Sequence, residues 1–267
     1  MLGSFSSGEL FQALSRPGQH EVRINDLFSG NVRFDGKTPV FDRPLVIMAF
    51  SNRSGSNLLA DYLRQTRRFA GFAEALNWDE VSLFLSKKRI SSFPEYIETL
   101  ARGAPPRSIW GVKASWDQMA MLTRANIFGM FPEVKVIHSV RRDVLGQATS
   151  HWIAHQTGKW TSTHNGTSAV PVFDSTAIER ILMGIHRSNG YVDCICQAMH
   201  WPRIPIFYEN VQQNMRLEIE RIAKFMGVSI DDWQPAKPRI SMQRDDTNAT
   251  FKRECFARWR GALTGQP

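Results

Sequence analysis

Cysteine is scarce, with three in 267 residues, and that excludes a disulfide framework. Cys194 and Cys196 would lie about 200° apart around a helix, and His200 alone does not complete a metal set. Long apolar runs are also missing. The longest clear one, Leu45 to Phe50, has six residues, against roughly 20 for a membrane span, so no transmembrane segment is expected. Nothing near the start pairs a basic stretch with an apolar one, so a secretory signal is not expected and the expected location is cytoplasmic. Internal repeats, low-complexity tracts and composition-shift linkers are absent as well. Basic residues outnumber acidic ones 33 to 25 for a net charge of +8, yet no long Lys/Arg block carries the excess. Arg64–Arg68 and Lys87–Arg89 are short and read as solvated helix faces. No nucleic-acid motif accompanies them, so the charge favours a small anionic partner over a polynucleotide.

Residues 1–43 are punctuated by Gly, Ser and Asp and read as an N-terminal extension; residues 44–267 read as one domain. From Arg43 onward, short apolar strands alternate with amphipathic helices. Strands are expected at 45–50, 109–114, 134–140 and 204–208, and helices at 57–68, 143–156, 176–201 and 214–226. Alternation of this kind gives an α/β three-layer sandwich around a mainly parallel central sheet.

Chemistry concentrates in two places. The strand 45–50 runs into Ser51-Asn52-Arg53-Ser54-Gly55-Ser56-Asn57 and then a helix. Unpaired N–H groups at a helix start, with the helix dipole behind them, make an anion cradle. Gly55 permits close backbone approach, Ser54 and Ser56 add hydroxyls, and Arg53 adds a charged fork. A capped helix without a ligand reads equally well from these residues alone. Gly36-Lys37-Thr38 imitates the end of a nucleotide-triphosphate loop, but Pro39 follows and no apolar strand precedes it. The second place is Val134–Val140, then Arg141-Arg142-Asp143, then a helix containing Ser150. Arginines at the C-terminal edge of a strand stand where α/β proteins bind ligands. Ser150 is seven residues past the expected cap Asp143, about two turns on, so an arginine and this serine can grip one phosphate.

Together these motifs resemble the sulfotransferase superfamily, and most nearly the bacterial trehalose 2-sulfotransferase-like family, over roughly residues 45–260. Gly111-Val-Lys113-Ala-Ser-Trp116 and Gly71-Phe-Ala-Glu74 extend the likeness, although Gly71 and Glu74 stand one residue closer than the family pattern. The resemblance implies a P-loop-like fold and 3′-phosphoadenosine 5′-phosphosulfate (PAPS) as sulfuryl donor, with no metal. The first loop (Arg53, Ser54, Gly55, Ser56, Asn57) would hold the 5′-phosphosulfate, and Arg141 or Arg142 with Ser150 the 3′-phosphate. Arg53, and more weakly Lys113, would stabilise the departing phosphate oxygen, and Glu74 would be the base, with His138 in reserve. Arg244, in the basic tail before Lys252, would close over the nucleotide. A carbohydrate or glycolipid acceptor is implied, and a homodimer is open. Residues 69–116, which mix Phe72, Trp78, Phe84, Phe93, Tyr96 and Trp116 with Glu74, Asn77, Asp79 and Lys87, would bind it. A small-molecule kinase with an aberrant phosphate loop is the alternative enzyme, and a basic nucleic-acid module the alternative without catalysis.

Overall fold

The computed structural model describes residues 9–160, 167, 169–239 and 246–265. Among them, five strands form one sheet: β1 (Leu45–Phe50), β2 (Phe69–Gly71), β3 (Ile109–Ala114), β4 (Val134–Val140) and β5 (Arg203–Phe207). Their spatial order is β2-β3-β1-β4-β5 and every pairing is parallel. Helices α1 (Glu9–Ser15) and α2 (Gln19–Leu27) precede the sheet. Helix α3 (Ser56–Gln65) follows β1, α4 (Trp78–Leu85) and α5 (Phe93–Arg102) follow β2, and α6 (Trp116–Arg124) follows β3. Helices α7 (Val144–Thr157) and α8 (Ser175–Ala198) lie between β4 and β5. The chain then forms α9 (Tyr208–Gln213), α10 (Met215–Met226) and α11 (Asp246–Thr264).

Strand β1 is apolar throughout because both of its faces are covered. Leu45, Ile47 and Ala49 join a core with α2, α5, α6 and α8, while Val46 and Met48 join a second core with α3 and α10. This alternation is the period of two expected of a strand. A third, smaller cluster ties α7, α8 and α11 together through Leu145, Ala148, Ile178, Ile185, Phe251 and Cys255.

The segment before β1 is packed onto this body. Ile24 and Phe28 are buried in the first core, and Phe28 meets the rings of Phe93 and Tyr96 at 6.0 and 6.5 Å. Arg124 of α6 fastens it further, donating to Glu21 (Nε–Oε1 2.8 Å) and to the carbonyl of Leu14.

Topology places the site. The chain leaves β1 for β2 and β3 on one side, and only later reaches β4 and β5 on the other. Connections from β1 and β4 therefore part at their C-terminal ends and leave a crevice, the usual ligand position in such sheets.

Candidate active site

A cleft of about 1660 Å³ opens over this crevice. Its floor is the turn between β1 and α3. Gly55 adopts φ +91°, which brings the ring of Tyr208, just beyond β5, directly onto it. A Cβ here would stand 2.3 Å from Tyr208 Cδ2. Gly55→Ala should thus be costly twice over: about 1–2 kcal/mol for the left-handed backbone, and a displaced ring. A clear drop in the thermal midpoint is expected, and an unchanged midpoint would show that the turn relaxes freely. Ser56 and Asn57 begin α3 and line the cleft, as do Arg53 and Gly55. Ser54 does not. It is fully buried, and its hydroxyl turns inward to Ser139 Oγ at 3.2 Å, so the hydroxyl donor expected at this position is engaged in the core.

The second loop meets the first. Gln147 on α7 donates to Ser51 Oγ (2.9 Å) and to the carbonyl of Asn52 (2.8 Å). Arg53 Nε donates to Ser150 Oγ at 2.9 Å, and Arg53 also reaches the carbonyl of Trp160. Arg141 lines the same cleft, with its guanidinium 5.1 Å over Tyr208. Burial, then the nearby Arg141 charge, pull the Arg53 pKa down, and the charge of a bound anion would offset both effects. Arg142, by contrast, points away from the cleft: it stacks 4.1 Å over Phe207 and donates to Asn210 Oδ1 at 2.7 Å. Its neighbour Asp143 caps α7 by accepting from the Gly146 N–H, and it takes two bonds from Lys252 of α11. Burial pushes the Asp143 pKa up, but those hydrogen bonds and the charges of Lys252 and Arg141 outweigh it and leave it lowered.

His151, beside Ser150, also lines the cleft and meets Trp160 edge-on. Burial first, then the charges of His155 and Arg53, lower its pKa to about 4, so the ring is neutral at pH 7. An unfolded histidine titrates near 6.5. Between about pH 6.5 and 4, the unfolded chain takes a proton that the folded one refuses, and stability falls across that window. His151→Asn is expected to flatten that part of the stability profile in urea titrations at pH 7 and 4.5. An unchanged slope would assign the loss to other groups.

Beside the start of α3 stands Glu74, in the turn after β2. Its Oε1 is 2.6 Å from Lys113 Nζ on β3. The pair is asymmetric: Lys113 is 1% exposed and Glu74 39%, so the ammonium lies behind and the carboxylate faces the opening. Burial lowers the Lys113 pKa while Glu74 holds it up. Lys113 also donates to Asn57 Oδ1 and sits 4.4 Å over the Phe50 ring. Behind Glu74, Asn77 Nδ2 donates to Oε2 (3.3 Å), and Gln118 Nε2 donates to Asn77 Oδ1 (2.9 Å). One cleft thus holds a cationic anion cradle and a carboxylate, with Lys113 bonded to both.

Residues 45–260 match the model of the Stf0 sulphotransferase family. The chain belongs to that family. It is a PAPS-dependent sulfotransferase, and sulfuryl transfer replaces the kinase and nucleic-acid alternatives. Solved structures similar to it include a sulfotransferase from Alicyclobacillus acidocaldarius, with 14% identity, 85% of this chain and 98% of that one covered, and a TM-score of 0.48. The sulfotransferase domain of a Synechococcus olefin synthase is similar at 14% identity, 84% and 97% coverage, and a TM-score of 0.47. A mouse sulfotransferase complexed with PAP is similar at 10% identity, 88% and 71% coverage, and a TM-score of 0.46. No curated protein matches the chain.

Other expected residues of this sulfotransferase fall elsewhere. His138 is 1% exposed within β4, where Nδ1 meets Arg203 at 3.1 Å and Asp193 at 3.6 Å. It does not line the cleft, so the reserve-base reading is corrected. Of the rings in 69–116, Trp116 reaches the cleft; Phe72 borders it from the second core, 1% exposed, and Phe93 and Tyr96 are buried in the first core. Arg244 lies outside the described residues. Cys194, Cys196 and His200 form no metal set, and among the described residues no group of three or more His, Cys, Asp or Glu does. Also among the described residues, no helix is long and apolar enough to cross a membrane. Asn77, expected among the acceptor-binding residues, lines the cleft, whereas Tyr208, Gln118 and His151 are site residues that the sequence did not single out. Only Tyr208 carried a signal, as the last residue of the expected strand 204–208, at the edge where such sheets bind ligands.

Proposed function

We propose that this sulfotransferase transfers the sulfuryl group of PAPS to a hydroxyl of a carbohydrate or glycolipid, with no metal ion taking part. The observation that carries the reading is the shared cleft, lined by Arg53, Arg141 and Ser150 and by Glu74, which Lys113 ties to Asn57 at the start of α3. The start of α3 and Arg53 receive the 5′-phosphosulfate. Arg141, rather than Arg142, grips the 3′-phosphate with Ser150, because only Arg141 lines the cleft. Lys252 and Asn248 of α11 line the nucleotide side.

Glu74 takes the proton of the acceptor hydroxyl as its oxygen bonds to sulfur. The bond from sulfur to the bridging phosphate oxygen breaks in line, and the charge left on that oxygen falls to Arg53. Products are a sulfate ester and adenosine 3′,5′-bisphosphate. Lys113 is a positioning residue: its ammonium fixes both Glu74 and Asn57. For the acceptor, Trp116 beside Glu74, Asn77 and Asp79 gives a lining with an apolar face and polar edges, which suits a sugar.

The test is a panel of acceptors at one concentration of sulfur-labelled PAPS: trehalose, methyl glucoside, a glycolipid, p-nitrophenol and a steroid alcohol. Label is expected in the sugars or the glycolipid, and to persist in chelator. Label confined to the phenol or steroid would overturn the carbohydrate assignment and leave sulfuryl transfer standing.

A further inference from the structure

Helix α2 lies outside the matched segment 45–260, yet it supplies one side chain to the cleft: His20. The backbone N–H of Trp78 donates to His20 Nδ1 at 3.0 Å. A nitrogen that accepts this bond carries no proton, so the neutral ring holds its proton on Nε2. The helix itself is pinned by Ile24 and Phe28 in the core and by the fork of Arg124 on Glu21. Its first turn abuts α6, since a Cβ on Gly18 would be 2.9 Å from Asp117 Oδ2.

The position along the cleft follows from the same bonds. Trp78 adjoins Asn77, whose amide touches Glu74. His20 therefore stands on the Glu74 side of the cleft. Nothing in the donor chemistry requires a neutral N–H donor there. A polyhydroxylated acceptor does: one hydroxyl is placed at Glu74, and another needs a fixed donor at a distance.

We infer that His20 is an acceptor-binding residue, with its Nε2–H donating to an acceptor oxygen other than the one sulfated. The segment before β1 thereby helps to set specificity. This inference rests on the carbohydrate reading above.

The test compares the parent, His20→Ala and His20→Gln, with trehalose and p-nitrophenol as acceptors and calorimetric titration with adenosine 3′,5′-bisphosphate. His20→Ala is expected to raise KM for trehalose about tenfold or more, with kcat and bisphosphate affinity within about twofold. Glutamine can accept from Trp78 and donate onward, so it is expected to recover most of the loss. A thermal melt of each variant separates lost binding from lost folding. Turnover of trehalose with an unchanged KM in His20→Ala overturns the inference and leaves the carbohydrate reading intact. So does loss of bisphosphate affinity in step with KM, or a lack of rescue by glutamine. If the parent sulfates p-nitrophenol alone, the carbohydrate reading fails, and with it the role of His20. Turnover of neither acceptor counts against both.

Discussion

Glu74→Gln is expected to lower kcat about 10²-fold or more, with affinity for adenosine 3′,5′-bisphosphate nearly unchanged. Glutamine keeps the shape of the carboxylate and can still accept from Asn77 Nδ2, but it cannot take a proton from the attacking hydroxyl. It also leaves the Lys113 ammonium, 1% exposed, without its counter-charge. Some loss of stability is therefore expected alongside the loss of rate, and kcat must be referred to the folded fraction. The half-open position of Glu74 lets water moderate that loss. Lys113→Met in the same background separates the effects: it removes the stranded charge and should restore stability without restoring rate. Turnover within threefold of the parent in Glu74→Gln would move the base elsewhere.

Arg53→Ala and Ser150→Ala are each expected to weaken binding of adenosine 3′,5′-bisphosphate by about 1.5–3 kcal/mol, the scale of a charge-assisted hydrogen bond. That corresponds to roughly 10- to 150-fold in Kd. Because Arg53 Nε donates to Ser150 Oγ at 2.9 Å, the two losses should not add. The double variant is expected to fall short of their sum, since removing either partner already frees the other from its set position. Arg53→Lys keeps the charge but loses the fork that holds both Ser150 and the Trp160 carbonyl, and an intermediate affinity is expected. Calorimetry at fixed ionic strength measures all four. Strict additivity would show that the contact has no energetic weight, and affinities equal to the parent's would place the nucleotide away from these residues.

The strands at 45–50, 109–114 and 134–140 were legible because buried parallel strands are continuous apolar runs flanked by turn residues. Both phosphate-type loops were legible for the same reason, each following such a run at the sheet's C-terminal edge. Strand β2 was not legible: Phe69-Ala70-Gly71 has three residues and no alternation to detect. Helix α2 was missed because only Ile24 is buried along its length, so its sequence lacks an apolar stripe. Choosing between Arg141 and Arg142 needed three dimensions, since adjacent residues leave a strand end in opposite directions. Ser54 likewise sits in a motif that suggests a ligand, yet its hydroxyl satisfies Ser139. Lys113 and Glu74 are 39 residues apart, and only the pairing of β2 beside β3 brings them together.

The most direct test of these roles in the cleft is a crystal structure of the chain with adenosine 3′,5′-bisphosphate. The account expects the 5′-phosphate on the backbone N–H groups that open α3, near Arg53, and the 3′-phosphate on Arg141 and Ser150. Glu74 should remain paired with Lys113 and clear of the nucleotide. A bisphosphate bound across Glu74 and Trp116, or with its 3′-phosphate on Arg142, would contradict it.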